Sequence, residues 1–216
     1  MSRGFLISIG LVVVFAVGLF SWIIIDRGDE VAPTAREADR ASLLVRPDSH
    51  RLSSADSPVT FVEFLDFECE ACGAMFPNVE RLRNDYAGRV NFVVRYFPLP
   101  GHFNAERAAR AVEAAAQQGR FEAMYKKMFD TQRQWGEQRV PADETFRGFA
   151  SAIGLDLAAF DIAYRSPATL ERVNADVRDG KALGVQGTPT IYVNGEQLDA
   201  SSYADLTRSL DDALAR

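Results

Sequence analysis

Apolar residues follow different rhythms along this chain. From Gly4 to Ile25 they run without a charged residue. At about 1.5 Å per residue in a helix, that run crosses a hydrocarbon core of about 30 Å. From Val59 to Leu65, β-branched and aromatic residues follow Pro58, which predicts a strand over about 59–66. The rhythm then changes. Met75, Phe76, Val79, Leu82 and Tyr86 recur at helical spacing from near Cys69, with Pro77 expected to kink the helix and Gly88 to close it. Residues 90–96 predict a second strand, making a right-handed βαβ unit with a parallel pair. Pro98, Pro100 and Gly101 break the chain. From His102 to Ser166 the pattern is helical, with a small-residue face at Ala105, Ala108, Ala109, Val112, Ala115 and Ala116. Phe121, Met124, Tyr125, Met128, Phe129, Phe146, Phe149 and Phe160 read as its core.

The remaining elements are marked by local chemistry. Ser166 and Pro167 open a helix that stops at Gly184. Thr190–Val193 predicts a strand, Asn194-Gly195 a hairpin turn, and 196–200 its partner. Ser201 or Ser202 caps a last helix carrying Tyr203, Leu206, Leu210 and Leu214. Residues 26–42 read as a polar tether, and 43–58 as a segment able to add an edge strand. His50, in that polar stretch, reads as a solvated side chain with no role.

Charge orients the apolar run. Arg3 precedes it, while Asp26, Arg27, Asp29 and Glu30 follow. This bias favours residues 1–3 in the cytoplasm, a retained transmembrane anchor at 4–25, and the remainder outside. Trp22 suits an interfacial position. A cleaved signal peptide is the alternative, although Trp-Ile-Ile-Ile-Asp-Arg stands where small residues would mark a cleavage site. Either reading places the folded part where disulfides persist. The net charge of −6 is spread over interspersed acidic and basic residues, with no basic stripe for nucleic acid.

The only two cysteines, Cys69 and Cys72, stand as C-x-x-C where the first strand turns into a helix. Unpaired N–H groups and the dipole at a helix N-terminus stabilise an anion, and the thiolate is the nucleophile of disulfide exchange. Cys69, nearer the loop, is expected to be the exposed attacker, and Cys72, one turn in, the buried resolver. Three quieter readings compete. A closed zinc site needs four ligands, and only His50 and His102 remain, without suitable spacing. A structural disulfide closing so short a loop constrains the unfolded chain little. Two idle buried thiols are the third. C-x-x-C beside a βαβ pattern reads first as a redox motif, with no cofactor and no metal.

The element order, Val62-Glu63-Phe64 through Cys69–Cys72, Phe97-Pro98-Leu99, His102 to Ala105, and Gly187-Thr188-Pro189-Thr190 with Asn194-Gly195 together resemble the DsbA family of thiol-disulfide oxidoreductases. The resemblance covers about residues 55–214. It implies an α/β thioredoxin-like fold over 43–216, a central mixed sheet flanked by helices, with an inserted helical subdomain at about 102–166. It also implies that Pro189 is cis against the cysteines and that the backbone of Thr188 pairs with a substrate peptide as an added strand. It further implies that Glu63 lies beneath the C-x-x-C and moves the proton of the resolving thiol, and that a membrane redox partner recycles the pair. Burial alone would raise the Glu63 pKa. One departure stands out: Glu70-Ala71 replaces the Pro-His of strongly oxidising members. Glu70, with Asp66 and Glu68 nearby, is expected to raise the thiol pKa and make a milder oxidant. The resulting expectation is a membrane-anchored oxidoreductase acting on envelope protein thiols. A reductase or isomerase using the same pair and a non-catalytic peptide-binding module remain as alternatives.

Overall fold

A computed structural model describes residues 35–199 and 202–216. The expected anchor at 4–25 and the residues flanking it lie outside that range. Among the described residues, no helix is long and apolar enough to cross a membrane. The tether expected at 26–42 gives way to helix α1 at Ala35–Leu44, and residues from Ala38 onward form one compact unit.

The sheet forms around the strand whose apolar run is least interrupted. Strand β2 (Thr60–Leu65) is buried on both faces. It pairs in parallel with β3 (Asn91–Tyr96), from Thr60↔Asn91 to Leu65↔Tyr96. It pairs antiparallel with β4 (Thr190–Val193), from Phe61↔Val193 to Phe64↔Thr190. The edge strands are β1 (His50–Arg51), antiparallel to β3, and β5 (Glu196–Leu198), antiparallel to β4. The order is β1-β3-β2-β4-β5. Asn194 and Gly195 take φ of 47° and 87°, the positive values that a two-residue hairpin of this type requires. The partner strand is shorter than the sequence predicts, ending at Leu198.

Strand alternation divides the core. Phe61 and Leu65 join one hydrophobic cluster with both cysteines and the helical insertion. Val62 and Phe64 join a second with Leu44, Phe97, Val185 and Tyr192. Helix α2 (Glu70–Asp85) runs through Pro77. The insertion comprises α3 (Ala105–Ala116), α4 (Phe121–Asp130), the short α5 (Gln132–Trp135), α6 (Asp143–Ala152) and α7 (Leu157–Arg165). Helix α8 (Pro167–Ala182) begins with the expected Ser166 cap and returns the chain to the sheet. It packs so closely that a Cβ on Gly180 would lie 2.8 Å from the Phe97 ring. Helix α9 (Tyr203–Leu214) is capped by Ser202, whose side chain accepts from the Asp205 amide.

Two polar groups behave differently from their sequence context. His50 is not solvated. Pairing of β1 with β3 turns it inward, where Nε2 lies 2.6 Å from Glu113 Oε2 and the ring stacks on Phe121 at 4.1 Å. Arg95, next to the last residue of β3, is fully buried. Its guanidinium donates to Asp176 at 2.8 Å, to Asp179 at 2.5 Å, and to the carbonyls of Leu43 and Leu44 at 2.6 and 2.7 Å. The same Asp176 accepts from the Tyr96 amide at 3.0 Å. Arg95 thus ties the end of α1, the sheet and α8 together.

Removing one partner from a buried ion network leaves its carboxylates under-compensated, here with Arg172 still 2.6 Å from Asp176 and Arg46 3.4 Å from Asp179. Arg95→Met should therefore cost roughly 3–5 kcal/mol of unfolding free energy, measured by urea titration. A cost below about 1 kcal/mol would mean that Asp176 and Asp179 are adequately satisfied without it.

Candidate active site

The site forms where β2 ends. Cys69 is the N-cap residue of α2, with extended backbone at φ −66° and ψ 120°. Its amide donates to Asp66 O at 3.2 Å and its carbonyl accepts from Gly73 at 3.0 Å. The first turn of α2 therefore carries Cys72 inward. Cys69 is 7% exposed and Cys72 is fully buried, so the expected order of access holds, but Cys69 itself is largely covered. Both thiols are free.

The antiparallel register of β2 and β4 brings the segment before β4 to the same place. The Thr188–Pro189 bond is cis, and Cys69 Sγ donates to Thr188 O at 3.3 Å. Glu63 is buried, on the β2 face shared by Phe61 and Leu65, which is the face of the cysteines. Cys69, Cys72, Thr188 and Pro189 therefore converge, with Glu63 on the sheet beneath.

Electrostatics separates the three ionisable groups. The Cys69 thiol is held down to about 5, first by the hydrogen bond from the Cys72 thiol, then by Thr188 and the N–H groups of Cys72 and Ala71, against the opposing effect of burial. Cys72 is pushed well up by burial, by its bond to Cys69 and by the charge of Glu63. Glu63 is pushed up to about 8 by burial, then by the Cys69 and Glu80 charges.

The downward shift of Cys69 follows the helix N-terminus expected from the sequence, and the nearby Glu70, Asp66 and Glu68 do not cancel it. Glu70 is exposed on the first turn of α2. Asp66 and Glu68 are occupied elsewhere. Asp66 accepts from the amides of Glu68 and Leu99 at 2.8 and 2.9 Å and lies 2.6 Å from His102 Nδ1. Glu68 accepts from the amides of Asn104 and Glu137 at 2.5 and 3.2 Å. Burial also raises the pKa of both carboxyls. Donors in contact with the sulfur outweigh carboxylates turned away from it.

His102 and Gln132 were not assigned to the site from sequence. The pKa of His102 is raised: burial lowers it, but the Asp66 hydrogen bond and charge, and the Cys69 charge, prevail. No spacing connects either residue to the cysteines; only the fold brings them together. Among the described residues there is no cluster of His, Cys, Asp and Glu suited to a metal.

Titration of reduced protein by thiolate absorbance should give a midpoint near pH 5, abolished by Cys69→Ser. Cys72→Ala should raise it, because the largest stabilising donor is lost. A lowered folded-state pKa contributes stability above the unfolded value that is lost as pH falls. The stability that Cys69 lends the reduced protein should therefore decline from about pH 9 to about pH 5. A midpoint above 8 would contradict the geometry.

The thioredoxin family profile matches residues 46–212. A curated relative, the Na(+)/H(+) antiporter NhaA 1 of Mycolicibacterium vanbaalenii, is 34% identical over 183 residues, covering 82% of this chain and 28% of that protein. The chain thus spans under a third of that relative's length. A thioredoxin-like oxidoreductase from Silicibacter pomeroyi is similar in structure, with a TM-score of 0.68, 27% identity, and coverage of 82% and 98% of the two chains. The thiol-disulfide exchange protein alpha-DsbA2 of Wolbachia pipientis shares the fold, with a TM-score of 0.67 at 20% identity, covering 84% and 99%. With its C-x-x-C at the start of α2 and its cis-proline opposite, this chain belongs to the thioredoxin family.

Proposed function

We propose that this chain is an extracytoplasmic protein thiol-disulfide oxidoreductase working through Cys69 and Cys72. The observation that carries the reading is a low-pKa Cys69 thiol at a helix N-terminus, in contact with the carbonyl before a cis-proline and backed by a buried second thiol. Ion transport, the property named for the longer curated relative, forms no part of it.

The chemistry follows from the separation of pKa values. In the oxidised form, a substrate thiolate attacks Sγ of Cys69. A substrate–Cys69 bond forms, the Cys69–Cys72 bond breaks, and Cys72 leaves as a thiolate. That buried thiolate is strongly basic and takes a proton, for which Glu63, with a pKa near 8, is the proposed source. A second substrate thiolate then attacks the substrate sulfur of the mixed disulfide. Cys69 departs, stable as a thiolate, and the substrate leaves with a disulfide and two fewer electrons. The low pKa makes Cys69 a good leaving group, which favours the oxidising direction over reduction or isomerisation. The Thr188 backbone is the proposed docking edge for an extended substrate segment. A membrane redox partner would accept the two electrons and restore the disulfide.

We place this domain outside the membrane, tethered by the uncharged run at 4–25. Tethering would keep the redox site near emerging polypeptides and near its recycling partner.

Trapping tests the chemistry. Cys72→Ala, lacking a resolver, should accumulate mixed disulfides with envelope proteins, and Cys69→Ala far fewer. Equal trapping by both would reverse or remove the assignment. A wild-type pair that glutathione leaves untouched would instead favour an idle, peptide-binding module.

Fractionation tests the tether. The full chain should sediment with membranes, and protease added to intact spheroplasts should digest residues 43–216. A soluble envelope product beginning near residue 30–40 would identify a cleaved signal, and protection of 43–216 would refute the orientation.

A further inference from the structure

One side-chain amide of the helical insertion holds two backbone carbonyls of the redox turn. Gln132, the first residue of α5, donates from Nε2 to Phe67 O and to Cys69 O, each at 2.8 Å. An amide nitrogen carries two hydrogens, so one group holds two carbonyls at once. Those carbonyls flank residue 68 and belong to the last stretch before α2. The carbonyl of Cys69 also accepts from Gly73.

The glycine that follows Cys72 makes room for this clamp. A Cβ at position 73 would lie 2.8 Å from Cδ of Gln132 and would overlap its Oε1. Glycine is unfavourable inside a helix relative to alanine, and position 73 is in the first turns of α2. The amide accounts for its presence there.

The clamp bears on the sulfur. The N–H groups of Ala71 and Cys72 support the Cys69 thiolate only while the peptide planes around Cys69 keep their orientation. Gln132 fixes the 69–70 plane, which adjoins Cys69, and the 67–68 plane, one peptide further back, without adding a charge. We propose that Gln132 is a positioning residue of the redox turn, admitted by Gly73, and that it sets how strongly the Cys69 thiolate is stabilised and so how strongly the pair oxidises. The second half of the proposal rests on the oxidoreductase reading; the first does not. A more stable thiolate favours the reduced pair, so loss of the clamp should make the pair less oxidising.

The test uses the full chain. Gln132→Leu removes the donor. Gln132→Glu keeps the shape, but its carboxylate only accepts. Both should raise the Cys69 thiolate midpoint by about one unit and shift the equilibrium with glutathione roughly tenfold towards the disulfide, about 30 mV. Gly73→Ala should do the same by expelling the amide. In a Gln132→Ala background, Gly73→Ala should add little, because the new methyl group enters vacated space; this non-additivity marks the two residues as one device. Circular dichroism monitors folding. Unchanged midpoint and equilibrium in folded Gln132→Leu and Gln132→Glu would overturn the proposal, as would additive effects of Gly73→Ala and Gln132→Ala. The thiolate titration needs no substrate, so it decides the clamp whether or not protein thiols are turned over.

Discussion

The site depends on one coincidence of backbone ends: the N-terminus of α2 and the cis Thr188–Pro189 turn meet at Cys69. Neither side makes the site alone. A helix N-terminus offers unpaired N–H groups, which draw negative charge to the sulfur. The carbonyl of Thr188 limits where the sulfur points, at 3.3 Å. Both ends hang from the same strand. Helix α2 follows the C-terminal end of β2, and the register Phe64↔Thr190 returns β4 beside that end. A one-residue slip in that pairing would turn the inward residues of β4 outward and withdraw Thr188 from the sulfur. The strand buried on both faces is therefore also the strand that positions the chemistry.

Acidic residues crowd this site without suppressing the thiolate, and their placement explains why. Coulomb energy falls with distance and dielectric, whereas a hydrogen bond to the sulfur acts at contact. Asp66 and Glu68 spend their lone pairs on the amides of Leu99, Asn104 and Glu137 and on His102. They hold the loops that wall the site. Glu70 faces water. Glu63 differs in having no such hydrogen bonds among the described residues, and burial pushes its pKa up to about 8. Its place on the sheet beneath the cysteines is what fits it to the proposed proton transfer to Cys72.

Much of the fold was readable because its signals are local. Pro58, Gly88, Ser166-Pro167 and Asn194-Gly195 mark boundaries through their own backbone preferences. The change from a β-branched and aromatic run to helical spacing separates β2 from α2. The cysteines and Thr188-Pro189 were readable as motifs joined by a family resemblance. The rest depends on partners distant in sequence. Nothing around His50 shows that Glu113 and Phe121 will enclose it. Nothing in β3 shows that Arg95 will meet Asp176 and Asp179. The lowered pKa of Cys69 was legible from its place at a helix N-terminus, but the weight of Asp66 and Glu68 was not, because their partners Leu99, His102, Asn104 and Glu137 are distant in sequence.

The insertion does more than enlarge the domain. Its aromatic core, with Phe67 packed against Tyr125 and Phe129, continues the hydrophobic cluster that contains both cysteines. Phe67 immediately precedes the redox turn, so movement of α4 would be felt there. The polar contacts repeat the connection. Asn104 receives the Ala142 amide and donates to Gln138 and Val140 carbonyls, while its own amide is held by Glu68. The turn is thus gripped from the insertion by apolar packing on one side and by a carboxylate on the other. The insertion converts an exposed strand-to-helix turn into a partly covered one, with Cys69 only 7% exposed. The same contacts that stiffen the turn therefore also leave the sulfur largely covered.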